Sequence, residues 1–435
     1  MVSSSGPRRT LKIVTGVSGS AKVYAAALDS SRSTLAHAVE VAKLAEANGF
    51  DALFAADLLS FGAQGAIGAQ EPLIFLAALS AVTERVGLIA TVTTTFHHPY
   101  NLARLFGTLD HVSNGRAAWN AVTSSVGEEN YGGEDLPSPE RRYARATESI
   151  EVVNALFDSW ESGALTLSAA GEAVLDARAV RPIEYAGQFF TVRGPLNIPP
   201  LPQRRPVQFQ AGQSEGGVEL GARHAEVVFT SLPTLEDAVS YAKRIRSRAA
   251  ELGRPDGLPL VFSSLHATYG ATEAEARRLA RERDDATDFE SGRRRLEDML
   301  GGGVDLSDLP LDKPIPEQLL PDVRSVNRRR GRVEIFSEFA RSGKTLRELI
   351  VAAKDTGHWA AAGTPEQIAD EIEKRYTAGV LDLIGLGGLD DPRIRDFLLN
   401  GVLPELRRRG IVDDGPEGGT FRERLELPPL PAASR

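Results

Sequence analysis

Residues 87–124 read GLIATVTTTFHHPYNLARLFGTLDHVSNGRAAWNAVTS. Gly87–Thr95 is a run of Val, Ile, Leu and Thr of strand length, and Pro99 sits where a helix can start. Pro99–Val112 then carries a helical pattern, and Ala117–Ser124 is a second apolar run. Strand, helix and strand in direct succession point to a parallel pair joined by a crossover helix. The same unit repeats in both directions. Upstream lie the run Leu11–Val17, a helix over Arg32–Asn48 closed by Gly49, the run Ala52–Asp57 and a helix over Glu71–Arg85. Downstream come a helix over Glu140–Trp160, the run Val207–Gly212 with a short helix Gly216–His224, and the run Glu226–Leu232 with the helix Thr234–Leu252. Leu260–Tyr269 is the seventh run, and Asp382–Leu386, followed by Pro392–Arg409, is the eighth.

Eight strand–helix units predict an α/β fold of the closed (β/α)8 TIM-barrel type. The open doubly wound alternative lacks a G-x-G-x-x-G after the first strand. Two breaks interrupt the rhythm and read as large insertions, about 161–205 after strand 4 and about 287–363 after strand 7. The expectation is one domain over 10–427 with a tail at 428–435. The Gly- and Pro-rich segment from Asp413 is expected to wrap the surface.

Composition removes several classes of function. Of 435 residues, 25% are charged and 42% hydrophobic, a globular balance that excludes extensive disorder. The net charge of −9 argues against general nucleic-acid binding, which needs a basic surface. There are no cysteines, so disulfides, thiolate nucleophiles and Cys-ligated metals are out. No apolar run approaches the roughly 20 residues of a membrane span, and no signal-peptide pattern opens the chain. A cytoplasmic protein without membrane or nucleic-acid partners is the expectation.

In a barrel the chemistry sits at the strand ends. Those ends carry Asp57; Thr93-Thr94-Thr95 with Phe96-His97-His98; Asn120 with Thr123-Ser124; Gly212-Gln213-Ser214; and His266 with Tyr269. Amides and hydroxyls dominate, which suits a polar cofactor held by hydrogen bonds. Spaced metal ligands are missing, and no metal is expected. Gln213-Ser214-Glu215-Gly216-Gly217 follows a strand and opens a helix, a pattern that fits a phosphate or an ordinary Gly/Ser turn. His97 and His98 are adjacent and so face opposite ways in an extended segment. The arginine runs read as solvated faces, except that Arg328–Arg330 lies in a segment able to close over a barrel mouth.

Longer words then carry a family resemblance. They are Phe50-Asp51-Ala52-Leu53-Phe54-Ala55-Ala56-Asp57, Glu71-Pro72, Ala81-Val82-Thr83-Glu84-Arg85-Val86-Gly87-Leu88 and Leu109-Asp110-His111-Val112-Ser113-Asn114-Gly115-Arg116. Trp119-Asn120-Ala121-Val122-Thr123-Ser124, Arg193-Gly194-Pro195-Leu196, Gln210-Ala211-Gly212-Gln213-Ser214 and Gly363-Thr364-Pro365-Glu366-Gln367 continue the series. The chain resembles the bacterial luciferase-like flavin monooxygenases, in the branch of nitrilotriacetate monooxygenase component A and dibenzothiophene sulfone monooxygenase.

The resemblance implies a barrel that binds FMN, as FMNH2, at its mouth. Asp57 and Thr94 would sit near the flavin ring, Asn120, Thr123 and Ser124 would line the cleft, and Tyr143, Ser214 and the backbone of Gly212 and Gln213 would hold the phosphate. His97 and His98 would be the candidates for catalysis, and Tyr24 and Phe96 would face the substrate. The implied activity is that of the oxygenase component of a two-component monooxygenase. It would take FMNH2 from a separate NAD(P)H:flavin reductase, react with O2 as co-substrate, and oxygenate a small nitrogen- or sulfur-containing compound through a flavin peroxide. A homodimer or homotetramer is implied as well. A deazaflavin-dependent oxidoreductase and a non-catalytic flavin-binding protein are the alternatives. Two departures stand out. Relatives carry His four residues before the position of Tyr143, and this chain has Pro139 there. The loop Ser18–Ser33 also lacks their aromatic and histidine pattern.

Overall fold

The computed structural model describes residues 9–17, 34–61, 70–133, 135–161, 163–301, 303–327, 330–415 and 417–430. Eight parallel strands form the centre: β1 Lys12–Gly16, β2 Ala52–Ala55, β3 Gly87–Thr93, β4 Ala117–Val122, β5 Val207–Gln210, β6 Val227–Thr230, β7 Leu260–Tyr269 and β8 Leu383–Leu386. Each pairs with its sequence neighbours, and β8 closes the ring by pairing with β7 through Phe262↔Leu383 and with β1 through Lys12↔Leu383. This is the expected closed barrel. All eight predicted runs are strands, and the quoted stretch is β3, a helix and β4.

The helices begin where local chemistry dictates. After α1 (Thr34–Ala47), α2 (Pro72–Ser80) starts with Glu71 capping the Ile74 N–H and Pro72 in the first turn. α3 (Pro99–Val112) starts with His98 and Pro99, and α4 (Pro139–Phe157) with Ser138 and Pro139. α5 (Glu215–His224) is capped by Ser214, α6 (Leu235–Glu251) by a Thr234–Asp237 capping box, and α7 (Glu273–Asp285) by Thr272. Asn114 and Gly115 adopt positive φ of 54° and 79° to turn the chain from α3 into β4. There Arg116 is buried and donates to the carbonyls of Ser80, Thr83, Val86 and Ser113 and to the Thr83 hydroxyl. That part of the quoted stretch is therefore structural.

Between α4 and β5 the chain forms two small hairpins, Leu165–Leu167 with Ala173–Leu175 and Tyr185–Ala186 with Thr191–Val192. Between β7 and β8, three helices follow α7: α8 (Phe289–Leu300), α9 (Arg330–Arg341) and α10 (Leu346–Lys354). They enclose a core of their own around Leu296, Leu300, Phe336, Leu346 and Ile350. A short strand, Trp359–Gly363, then pairs with the distal half of β7, whose ten residues reach beyond the ring. α11 (Pro365–Thr377) precedes β8, and α12 (Pro392–Phe397) and α13 (Leu403–Arg408) follow it.

The segment after Asp413 does not simply wrap the surface. α14 (Phe421–Arg424) turns inward under the barrel, where Phe421 is fully buried and stacks on Phe209 at 6.4 Å. A Cβ on Gly87 would lie 2.6 Å from the Phe421 ring, so this glycine admits the plug. Among the described residues no helix is long and apolar enough to cross a membrane.

Candidate functional site

The barrel mouth is built by the pleat of the strands. Successive side chains alternate between the interior and the helices, so Thr91 and Thr93 of β3 enter the mouth while Thr94 does not. Thr94 is fully buried and donates its hydroxyl to the Val122 carbonyl at 3.2 Å. Ser124 donates to Thr93 Oγ1 at 2.7 Å, which fixes the start of the loop after β4. Thr91, Thr93, Thr123 and Ser124 wall one side of a cavity of about 310 Å³. Asp57, Pro139, Arg142, Tyr143, Gly212, Gln213 and Ser214 also line it, with Phe229 and Ser231 from the end of β6.

Asn120 lies one strand step below Val122 in the barrel interior. Its Nδ2 donates to Thr91 Oγ1 at 3.0 Å, and the residue is 2% exposed. Its Oδ1 is buried and has no hydrogen-bond partner among the described residues. A bare buried acceptor costs about 1–3 kcal/mol. A ligand N–H arriving above Thr91 would remove that cost.

At the other end, Tyr143 and Ser214 place their hydroxyls 3.1 Å apart at the first turn of α5. Gln213 clamps this corner to β6, accepting from Ser231 N at 2.8 Å and donating to Ser231 O at 3.0 Å. The glycines make the corner possible. A Cβ on Gly216 would lie 2.6 Å from the Tyr143 ring, and one on Gly217 would lie 2.5 Å from the Gly212 backbone. The first-turn N–H groups and the positive end of the helix dipole thus converge beside two hydroxyls, a setting that attracts a phosphate.

Arg142 supplies what the sequence did not signal. It stands one helical turn after Pro139 on the same face of α4. The side chain is 5% exposed and binds Asn327 through Nη1 to Oδ1 at 2.9 Å and Nη2 to the carbonyl at 2.6 Å. Its Nε has no partner among the described residues. Gly331 of α9 would bring a Cβ to 3.4 Å from Ser214 N, so this segment roofs the phosphate-like end. Arg330 also lines the cavity, but it is paired with Glu140 at 2.6 Å. Asp57 is half-buried, and its carboxyl is pushed up to about 6, by burial first and Glu71 second, against the Leu58 N–H.

The predicted residues thus divide. Asp57, Thr123, Ser124, Tyr143, Gly212, Gln213 and Ser214 line one cavity, and Asn120 braces it from below. Phe96 lies outside it, stacked on Tyr131 at 4.2 Å. His97 lies outside too, bonded by Nδ1 to the Thr93 carbonyl at 3.1 Å. His98 is exposed and caps α3 through the Tyr100 N–H; burial and Arg145 hold it below the usual imidazole range. Tyr24 and the loop Ser18–Ser33 lie outside the described residues. Among the described residues no three metal-ligating side chains cluster.

The mouth has a second hollow of about 290 Å³ between β1, β7 and β8. Phe229 belongs to the walls of both. Phe54, Phe229 and Phe262 pack around it with centroids 4.7–6.0 Å apart, giving this half an aromatic lining.

Comparison with known proteins places the same architecture in a known setting. Residues 15–382 match the family described as luciferase-like monooxygenase. The chain is 40% identical to nitrilotriacetate monooxygenase component A of Aminobacter aminovorans over 362 residues, 82% of this chain and 79% of the relative. It is 36% identical to N-acetyl-S-(2-succino)cysteine monooxygenase of Bacillus subtilis strain 168 over 395 residues, 89% of each. A solved structure of riboflavin lyase with modified FMN and substrate riboflavin superposes with a TM-score of 0.81 at 26% identity, covering 96% of both chains.

Proposed function

The chain belongs to the luciferase-like monooxygenase family, and from that premise we propose that it is the oxygenase component of a two-component system. It is a flavin-dependent oxidoreductase that uses reduced FMN and O2. The finer reading is that a separate reductase delivers the reduced flavin, and that the substrate is a small organic compound bearing nitrogen or sulfur. Nitrilotriacetate is a tertiary amine and N-acetyl-S-(2-succino)cysteine a thioether, so the two relatives' names support that class.

The observation that carries the reading is the pairing of ends in one cavity. The bare Asn120 Oδ1 stands below Thr91 at one end, and Tyr143, Ser214 and the α5 N-terminus stand at the other. The first suits the N–H of a flavin's polar ring edge, and the second suits its phosphate. Arg142 with its unpartnered Nε would add charge at that end. When bound, reduced FMN supplies the electrons that activate O2, one atom of which goes to the substrate and one to water. The protein's part is to orient and to dry. Asn120 and Thr91 would fix the ring edge, Tyr143 and Ser214 the tail, and the Phe54–Phe229–Phe262 cluster would keep water from the reacting face.

The test is an anaerobic titration with reduced FMN, then mixing with O2 and candidate amines and thioethers. Micromolar binding that weakens about tenfold in Asn120→Ala and in Ser214→Ala, with substrate-dependent O2 uptake, is expected. Tight binding of a reduced deazaflavin together with no binding of reduced FMN would overturn the assignment.

A further inference from the structure

The second hollow is lined by His266, whose ring is held by Asp355, and neither residue lines the cavity of Tyr143 and Ser214. β7 runs past the ring, and its extension presents His266 on the hollow's wall. His266 Nδ1 lies 3.0 Å from Asp355 Oδ1, just after α10, and Asp355 also faces Arg283 at 3.4 Å. The Asp355 side chain is only 14% exposed. A carboxylate accepts and cannot donate, so the bond puts the proton on Nδ1. Nε2 is left with no partner among the described residues, in a hollow whose walls are mostly apolar, Phe54, Phe262, Leu386 and Ile394 among them, with Thr15, Ser264 and Tyr269 as the other polar side chains. This is the layout of a base held by an orienting acid. The His358 ring sits 5.3 Å from the His266 ring and touches the Ser231 hydroxyl. Burial, Arg332 and His266 keep His358 well below the usual imidazole range, so it is neutral and adds no charge.

We propose that His266 is an acid–base catalyst of carbon–heteroatom cleavage, with Asp355 as its positioning residue. The substrate class is a thioether or amine with a hydrogen on the carbon beside the heteroatom. The inference rests on the monooxygenase reading above, whose product at that carbon carries a hydroxyl and the sulfur or nitrogen together. Nε2 takes the hydroxyl proton. The freed electron pair forms the C=O bond as the C–S or C–N bond breaks, with the bonding pair leaving on the heteroatom. Nε2–H then returns the proton to the departing sulfur or nitrogen, giving a carbonyl compound and a thiol or amine. No further oxidant or reductant is needed. Asp355 fixes the tautomer and stabilises the imidazolium between the two transfers.

Two measurements on the full chain test this. In ¹⁵N-histidine-labelled protein, His266 is expected as the Nδ1–H tautomer when neutral, and Asp355→Asn is expected to shift it toward Nε2–H. A wild-type Nε2–H tautomer overturns the proposal, whether or not any substrate is known. In turnover with reduced FMN, N-acetyl-S-(2-succino)cysteine is the thioether probe, and free thiol is counted against O2 consumed; the chain has no cysteine to raise the background. Wild type is expected near one thiol per O2. His266→Gln is expected below one-tenth of that early in the reaction, and Asp355→Asn is expected to lower kcat with little change in KM and to move the acid limb of the pH profile. Among the described residues the titratable and charged groups facing His266 or its partner include Asp355 with Arg283 and Lys354 beside it, His358 with Arg332, and Tyr269, so Asp355→Glu restoring that limb assigns it to the pair. Thiol release that keeps step with O2 uptake in His266→Gln overturns this step alone. A wild-type chain with no probe-dependent O2 uptake, with this thioether or with nitrilotriacetate, overturns the monooxygenase reading and this step together.

Discussion

Asp57 shows how a cavity-lining side chain strains against stability. Burial and Glu71 lift its carboxyl to about 6, above the usual carboxylate range near 4. Between those two values the unfolded chain has released the proton and the folded chain has kept it. The folded state therefore binds more protons there, and this group's effect on stability turns less favourable as pH rises from 4 to 6. Asp57→Asn removes that penalty. The variant is expected to match wild type at pH 4 and to exceed it at pH 7.5, read as the difference in urea midpoints; a difference that does not change with pH would refute the argument. The same scale shows what the sequence could convey about the site. Polar residue types at strand ends marked Asp57, Thr123, Ser124 and the Gly212–Ser214 corner, because hydroxyls and glycines stand out against Val, Ile and Ala. Parity did not show. Every residue of β3 is buried, so nothing in Thr93-Thr94 says which one enters the mouth. Arg142 and Phe229 were invisible for a related reason: an arginine on a helix and a phenylalanine in a strand look structural until the fold brings them to one cavity.

At the scale of elements, the barrel strands were legible because each is a short apolar run bounded by turn residues and followed by a helical period. The three helices between β7 and β8 were legible only in part. They lie in the stretch read as an insertion, among Gly-rich and Pro-rich segments, and α8 and α9 complete their apolar core only with α10 and with Leu306 and Ile315. The strand Trp359–Gly363 owes its existence to the overlong β7 it pairs with. These elements have consequences for cofactor exchange. The start of α9 and Asn327 before it are tied to α4 by Arg142 on Asn327 and Arg330 on Glu140, and to the residues just before α4 by Asn327 Nδ2 on the Leu136 carbonyl at 2.9 Å. In the proposed function, reduced flavin must pass this roof to reach the cavity, so its closure should set the residence time. Asn327→Ala removes two hydrogen bonds, one of them to a charged group, each contributing about 1 kcal/mol. The expected result is FMN dissociation about tenfold faster or more in stopped-flow, with the association rate changed far less. An unchanged dissociation rate would mean that the roof does not hold the ligand.

For the whole molecule, the barrel divides its labour between two faces. The cavity of Tyr143 and Ser214, the hollow of His266 and the raised Asp57 carboxyl lie where the strands end. On the opposite face α14 packs Phe421 into the barrel floor beside Phe209 and against Gly87, next to a further hollow of about 320 Å³ that Glu226, Arg422 and Pro428 line. Arg422 beside Phe421 is buried and pairs with Glu226, which also accepts from Gln208 N at 3.0 Å, so the plug is fixed by charge as well as by packing. In this fold the bottom face contributes to stability and the top to chemistry. Phe421→Ala should therefore cost about 3–5 kcal/mol of unfolding free energy, the range for emptying a fully buried aromatic site. Reduced-FMN affinity measured well below the unfolding transition should stay within about twofold, because the plug and the Ser214 corner lie at opposite ends of the strands and share no partner. A loss under 1 kcal/mol would mean that α14 is only laid against the floor. A large loss of affinity in protein that remains folded would mean that the interior transmits strain from floor to mouth, and that the division between the faces is not kept.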